Sequence, residues 1–387
     1  MTNDIFERLR ILHLSHESLP DWRIEKTAIS AFDKGHEVAF AGIYPKKYTN
    51  ETFSEIYNLI WTAKARFGIP FYWRSVKKQL AKVLIKARPD IVHAHNLFSA
   101  KLMSEFDIPF VYDDHEFWPL QARLLKEIGN LSSLDKGKTS VFNLPKRIRR
   151  KFINNYANRL WTKWENEVIT THPTITVSSS IAEEMKRTVG NNKKIFVVPN
   201  YPLRAEVDSI RKPRPHSRLS CAYAGGDAQN KEKYPHLDRD GLPELFSTHD
   251  MGDLVIIGSE GPTSKNVRYT GYLERDSMYT EMAEHSIGLI PFKKHWSHAY
   301  LNPNKAYEYA HAGLYVMSTS SLTTIPQTLK DNCSTFEDYE TLVQQLEYFK
   351  GNPDVLYNKR LRIFEFAKAN LIWEKNEQDI FRAYQMC

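Results

Sequence analysis

Asn302-Pro303-Asn304-Lys305-Ala306-Tyr307-Glu308-Tyr309-Ala310-His311-Ala312-Gly313 lies between two apolar runs, residues 287–292 and 314–318. That pattern reads as strand, loop, helix, strand. Asn302 suits an N-cap, Pro303 a first helical position and Gly313 a C-terminal cap, while Lys305, Glu308 and Ala312 recur on one helical face. A helix opening just after the carboxyl end of a parallel strand aims free N–H groups and its positive dipole end at the crevice where such sheets bind ligands. A phosphate fits there. Asn304 stands at the opening, Lys305 adds a point charge, and Glu308, one turn deeper, can accept two hydrogen bonds from a vicinal diol such as a ribose. On its own, the same pair also reads as an i,i+3 contact on a solvated face, worth a few tenths of a kcal/mol.

The remaining chain decides between these readings. Its 387 residues exceed what one core usually serves, so two domains are expected, about 1–205 and 217–365, with 366–387 returning to the first. With 42% apolar and 12% aromatic residues the chain should be globular. The net charge of +7 favours phosphate-rich ligands or an anionic membrane surface; with no accompanying binding motif, nucleic acid is not expected. Cys221, Cys333 and Cys387 are widely spaced and show no metal-ligand pattern, which points to a reducing compartment. A charged start and the lack of eighteen consecutive apolar residues make the expected location cytoplasmic, without a membrane span.

Strand, helix and strand are expected over residues 10–15, 26–34 and 36–42. The intervening loop, Ser15 to Arg23, lacks the Gly-x-Gly-x-x-Gly needed for a dinucleotide. Residues 51–88 read as mainly helical. In Pro89-Asp90-Ile91-Val92-His93-Ala94-His95-Asn96 the two histidines share a strand face; that permits a metal site, but no Cys or acidic third ligand is near in sequence, so none is expected. Residues 108–118 read as a strand ending in Asp113-Asp114-His115-Glu116, where crowding carboxylates would raise the pKa of His115. Residues 121–145 read as a loop or insertion. An apolar stripe with near-helical spacing follows through Ile148, Phe152, Tyr156, Leu160, Trp164 and Val168; the basic residues Lys146, Arg147, Arg149, Arg150 and Lys151 at its start make 146–164 the candidate for peripheral contact with anionic lipid. The stretch 203–217, rich in proline and charge, reads as a linker. A new strand then leads to Gly225-Gly226, where the backbone can approach a ligand, with Lys231 and Lys233 beyond.

Several of these segments resemble the family-four-like retaining glycosyltransferases, which have two Rossmann-like domains facing a cleft. The resemblance rests on Pro-Asn-Lys-Ala-Tyr-Glu at 303–308, Tyr-Asp-Asp-His-Glu at 112–116, Pro-Asp-Ile-Val-His-Ala-His at 89–95 and Ile372-Trp373-Glu374. It implies a GT-B type α/β fold with a C-terminal helix crossing back to the first domain. It gives His115 contact with the transferred sugar, and Asp114 or Glu116 a substrate-facing role. Asn304, Lys305, Glu308, Gly226 and Lys231 would hold the donor, with Gly271, Tyr272 and Leu273 at the base. The first loop, with His16, Asp21 and Arg23, would face the acceptor. The commoner family pattern carries a sugar-binding acid at the position of Tyr300, and here it is missing.

The expected activity is transfer of a sugar from a nucleotide diphosphate sugar, as co-substrate, to a glycan or lipid-linked acceptor. Configuration is retained, and neither metal nor cofactor takes part. Surface polysaccharide or glycoconjugate synthesis would be its setting. A sugar-nucleotide epimerase on the same architecture would release free nucleotide without an acceptor. A non-catalytic scaffold would bind nucleotide without turnover.

Overall fold

The computed structural model describes residues 8–131, 144–190, 194–225 and 235–387, and side chains for 8–127, 152–190, 194–225 and 236–387. Two compact units divide them, one of residues 1–199 with 376–387 and one of residues 200–375.

In the first unit seven strands form a parallel sheet: β1 Arg10–Ser18, β2 Glu37–Ile43, β3 Glu55–Asn58, β4 Ile91–His95, β5 Phe110–Asp114, β6 Thr174–Thr176 and β7 Ile195–Val197, in the order β3-β2-β1-β4-β5-β6-β7. All five residues of β4 and of β5 are buried, as expected when helices cover both faces of a parallel sheet. The order reverses direction between β1 and β4, the switch point where the carboxyl ends of such strands leave a crevice. Helix Trp22–Asp33 starts there because the Asp21 side chain accepts from the N–H groups of Arg23 (3.0 Å) and Ile24 (3.1 Å).

The second unit repeats the plan with six parallel strands: β8 Ser220–Ala224, β9 Asp253–Ile257, β10 Val267–Tyr269, β11 Ile287–Ile290, β12 Tyr315–Thr319 and β13 Cys333–Phe336, ordered β10-β9-β8-β11-β12-β13. Its switch point lies between β8 and β11. Helix Asn304–His311 lies directly on the sheet, since a Cβ at Gly288 of β11 would fall 2.3 Å from the Tyr309 ring. The Tyr309 hydroxyl accepts from the Ala224 N–H (2.6 Å) at the end of β8, which fixes the helix across the switch point.

The structure corrects several sequence expectations. Residues 51–88 are not mainly helical: the edge strand β3 and a single turn at Ala65–Phe67 precede helix Pro70–Ala87. Four residues paired on one side only are too short to show a period. The expected loop at 121–145 begins as helix Trp118–Leu131, and residues 132–143 lie outside the described residues. The helix expected from 146 runs over Leu144–Thr171, yet its apolar stripe is not continuous core. Trp164 and Val168 are buried while Phe152 is 73% and Tyr156 52% exposed. The side chains of residues 146–151 lie outside the described residues. The helix expected from Pro303 begins at Asn304, so Pro303 precedes it, in extended conformation. Residues 203–217 lie in the second unit, with Val207 in its core. Among the described residues no helix is long and apolar enough to cross a membrane.

Candidate active site

At the carboxyl ends of β8 and β11, Lys305 reaches over Tyr223, its ammonium 4.3 Å from the ring centroid and 3.3 Å from the hydroxyl. The Phe292 ring lies 5.3 Å away. A Cβ at Gly225 would come within 2.9 Å of that ammonium, so glycine keeps the approach open. The Arg239 guanidinium stacks on the same Tyr223 ring at 4.3 Å. Two cations thus share one aromatic platform. Glu308 points from the next turn and is held through Oε1 by the Arg275 guanidinium at 3.2 Å; Arg275 also pairs with Glu206. Asn304 is exposed at the helix opening. Gly271, with φ of +67°, closes the turn after β10, where its carbonyl accepts from Gly258 and its N–H donates to Ser259. Beyond it Tyr272 is 79% exposed and Leu273 packs partly on the core. Gly226, Lys231 and Lys233 lie outside the described residues.

In the first unit a buried network surrounds Asp113. Arg23 grips this carboxylate with Nε and Nη2, the shortest contact being 2.7 Å, while Nη1 donates to the Val198 carbonyl (2.9 Å). Three imidazoles face Asp113 Oδ2: His93 at 3.2 Å, His95 at 3.5 Å and His115 at 3.6 Å. Burial pushes Asp113 up, but Arg23 and the imidazoles outweigh it and hold the carboxylate well below its ordinary range. Burial pulls His115 down, and Asp113 more than offsets this, leaving its pKa raised. Asn96, with φ of +63°, holds His115 at two points: Oδ1 accepts from the His115 backbone N–H (3.3 Å) and Nδ2 lies 3.4 Å from the ring Nδ1. His115 remains 11% exposed at the end of this otherwise buried chain.

Three expected ligand contacts turn inward, Arg23, Asp114 and His16. Arg23 is 3% exposed and committed to Asp113, so it supports the sheet edge rather than facing an acceptor. Asp114 is fully buried; it accepts from the N–H groups of Glu116 and Phe117 and from the Tyr112 hydroxyl, which shapes the turn carrying His115. Burial raises its pKa to about 6, and Glu165, equally buried beside it, is pushed well above the ordinary range by burial and by Asp114. Desolvation, then Glu17, pushes Glu116 up to about 7. His16 is buried among Phe98, Trp61 and Trp118, with Nε2 3.7 Å from the Glu17 carboxylate. Burial, then Arg66, holds it well below its ordinary pKa, so it is neutral. Asp21, besides capping its helix, lies with Glu17 and His115 in a cluster whose ligand atoms fall within 4.8 Å.

The acid that sequence proximity did not offer His93 and His95 arrives from β5 as Asp113, and the three form a cluster of metal-ligating type. Its atoms are already engaged: Arg23 holds Asp113, the Tyr384 hydroxyl meets His93 Nδ1 at 2.8 Å, and His13 meets His95 Nε2 at 2.9 Å. Sequence reading also missed Asn96, Arg239 and Arg275. The positive φ of Asn96 has no local signature, and Arg239, between Asp238 and Asp240, reads as part of a solvated charge run.

Residues 31–201 match the model of Glycosyltransferase Family 4. No curated protein sequence matches the chain. Among solved structures, sucrose-phosphate synthase from Thermosynechococcus elongatus is 12% identical with a TM-score of 0.65 and covers 98% of both chains. HepE of Anabaena in complex with UDP-glucose is 10% identical with a TM-score of 0.64, covering 98% of this chain and 100% of that one. WaaG, a glycosyltransferase involved in lipopolysaccharide biosynthesis, is 12% identical with a TM-score of 0.60, covering 97% and 99%. The family match lies within residues 31–201, and the two Rossmann-like sheets give the chain the GT-B fold that these glycosyltransferase structures share.

Proposed function

We propose that the protein transfers a sugar, with retention of configuration and without a metal ion, from a nucleoside diphosphate sugar to a glycan or lipid-linked acceptor. The observation that carries this reading is the convergence of Lys305 and Arg239 on Tyr223 beside the amino end of helix Asn304–His311. Each cation stands 4.3 Å from the same ring centroid, and among the described residues neither has a carboxylate partner; a diphosphate would supply the missing anion. Helix N–H groups and the two cations then stabilise the leaving diphosphate as its charge develops, the work a divalent ion does elsewhere. Glu308, oriented by Arg275, holds the ribose diol. His115 acts on the transferred sugar. In the step itself the acceptor hydroxyl oxygen bonds to the anomeric carbon as the bond to the phosphate oxygen breaks, and the hydroxyl proton passes to that leaving oxygen.

HepE, a structural relative, is complexed with UDP-glucose, so uridine nucleotides are the first donors to test. In calorimetric titration without metal, UDP binds the full chain. Arg239→Gln weakens UDP about tenfold while sparing uridine, and Glu308→Ala costs ~1 to 3 kcal/mol with either ligand. UDP affinity untouched by both changes would remove the donor site from this edge.

The exposed Phe152, Ile153 and Tyr156 follow the basic residues 146–151 on one helix, which suits the surface of an anionic membrane carrying a lipid-linked acceptor. Sedimentation with anionic vesicles should fall in Phe152→Ser; equal binding to neutral and anionic vesicles would contradict the charge contribution.

A further inference from the structure

The second unit carries a pocket that this reading does not use. It lies at the amino ends of β8, β9 and β11, the sheet edge opposite the one where Lys305 and Glu308 stand. There the residues leading into those strands meet helix Pro353–Asn370, and the space is about 420 Å³. Arg360, His216, Arg218, Lys350, Tyr357 and Ser286 line it.

Arg360 is 1% exposed. Its Nε donates to the Gly313 carbonyl (2.9 Å) and Nη1 to the Arg214 carbonyl (2.7 Å), but Nη2 has no acceptor. The other cations of the pocket are neutralised, Lys350 by Asp250 at 3.0 Å and Arg218 by Asp253 at 2.9 Å. Among the described residues no carboxylate reaches Arg360. A buried guanidinium with only carbonyl partners keeps its full charge, and burial pushes its pKa down to about 10. Burial, then Arg360, lowers His216 to about 4, so the imidazole is neutral and adds no competing charge. An oxyanion would answer the free Nη2 donor and the uncompensated charge together. The space exceeds what a bare phosphate fills and has an apolar wall of Phe349, Leu219 and Leu356.

We propose that this pocket binds a small phosphorylated metabolite, its phosphate on Arg360 Nη2 and its remainder against Phe349 and Leu356. The site is separate from the donor edge, although Arg360 also grips the Gly313 carbonyl just beyond the end of the helix carrying Lys305 and Glu308.

The test is calorimetric titration of the full chain with inorganic phosphate and with glucose 6-phosphate as probes, in chloride buffer of matched ionic strength. Both should bind saturably, the sugar phosphate more tightly. Arg360→Gln should weaken both by roughly tenfold or more. His216→Ala, at a half-buried position, should weaken them severalfold and keeps the test valid if Arg360→Gln does not fold. Lys305→Ala should leave both unchanged. Absence of saturable binding, or binding that survives the pocket variants, overturns the proposal; so does binding that Lys305→Ala abolishes, because the phosphate then sits at the nucleotide edge. Equal affinity for the two probes overturns the metabolite and leaves an inorganic anion. None of these outcomes depends on whether UDP binds.

Discussion

Replacing His115 by alanine should lower turnover about a hundredfold or more while nucleotide affinity stays within about twofold of the parent protein. Among the described members of the Asp113 network its imidazole alone is left partly exposed, and its orientation is fixed by Asn96 on one nitrogen and by Asp113 and His95 near the other. A ring held in this way is preorganised, so in the proposed role it would stabilise charge at the reacting sugar without reorganising at the moment of transfer. In the proposed reading the nucleotide is held by residues of the other unit, which is why affinity should be spared. Steady-state kinetics with the donor identified by titration, together with the nucleotide dissociation constant, decide the matter. If both quantities fall together, His115 is a structural member of the network. Asn96→Ala should reproduce part of the loss, through a ring no longer held.

Arg23→Ala should be the most damaging substitution for stability, at ~3 to 5 kcal/mol, because it strands a fully buried carboxylate. Asp113 loses a bidentate cation and keeps only imidazoles, none of which matches a guanidinium as a permanent charge. For a domain of about 200 residues this corresponds to a melting temperature lower by on the order of 10 °C. Adding Asp113→Asn to Arg23→Ala should recover part of the loss, since the amide needs no counter-charge. Thermal unfolding of the two single variants and the double variant measures the coupling. A melting temperature for Arg23→Ala within about 2 °C of the parent would show that the pair does not hold this edge of the sheet.

The sequence by itself marked the central strands of the two parallel sheets, though not the edge strand β3. β4, β5 and β12 are short β-prone runs whose every residue is buried, and such runs between helical segments are readable without knowing what covers them. It also determined that Lys305 and Glu308 share a face of one helix, because a spacing of three is a property of the helix alone. Tertiary structure decided the direction in which charges point. Arg23 and His115 both occupy strand-exit segments rich in polar residues, yet one is locked beneath the sheet edge and the other reaches its surface. The difference lies in Asp113, which comes from another strand ninety positions beyond Arg23 in the chain. Arg239 follows the same logic: between two acids it reads as solvated, and only the fold lays it on Tyr223 beside Lys305. Local periodicity reports burial and helical face, whereas the partner of a charge depends on contacts between residues remote in sequence, which no local pattern encodes.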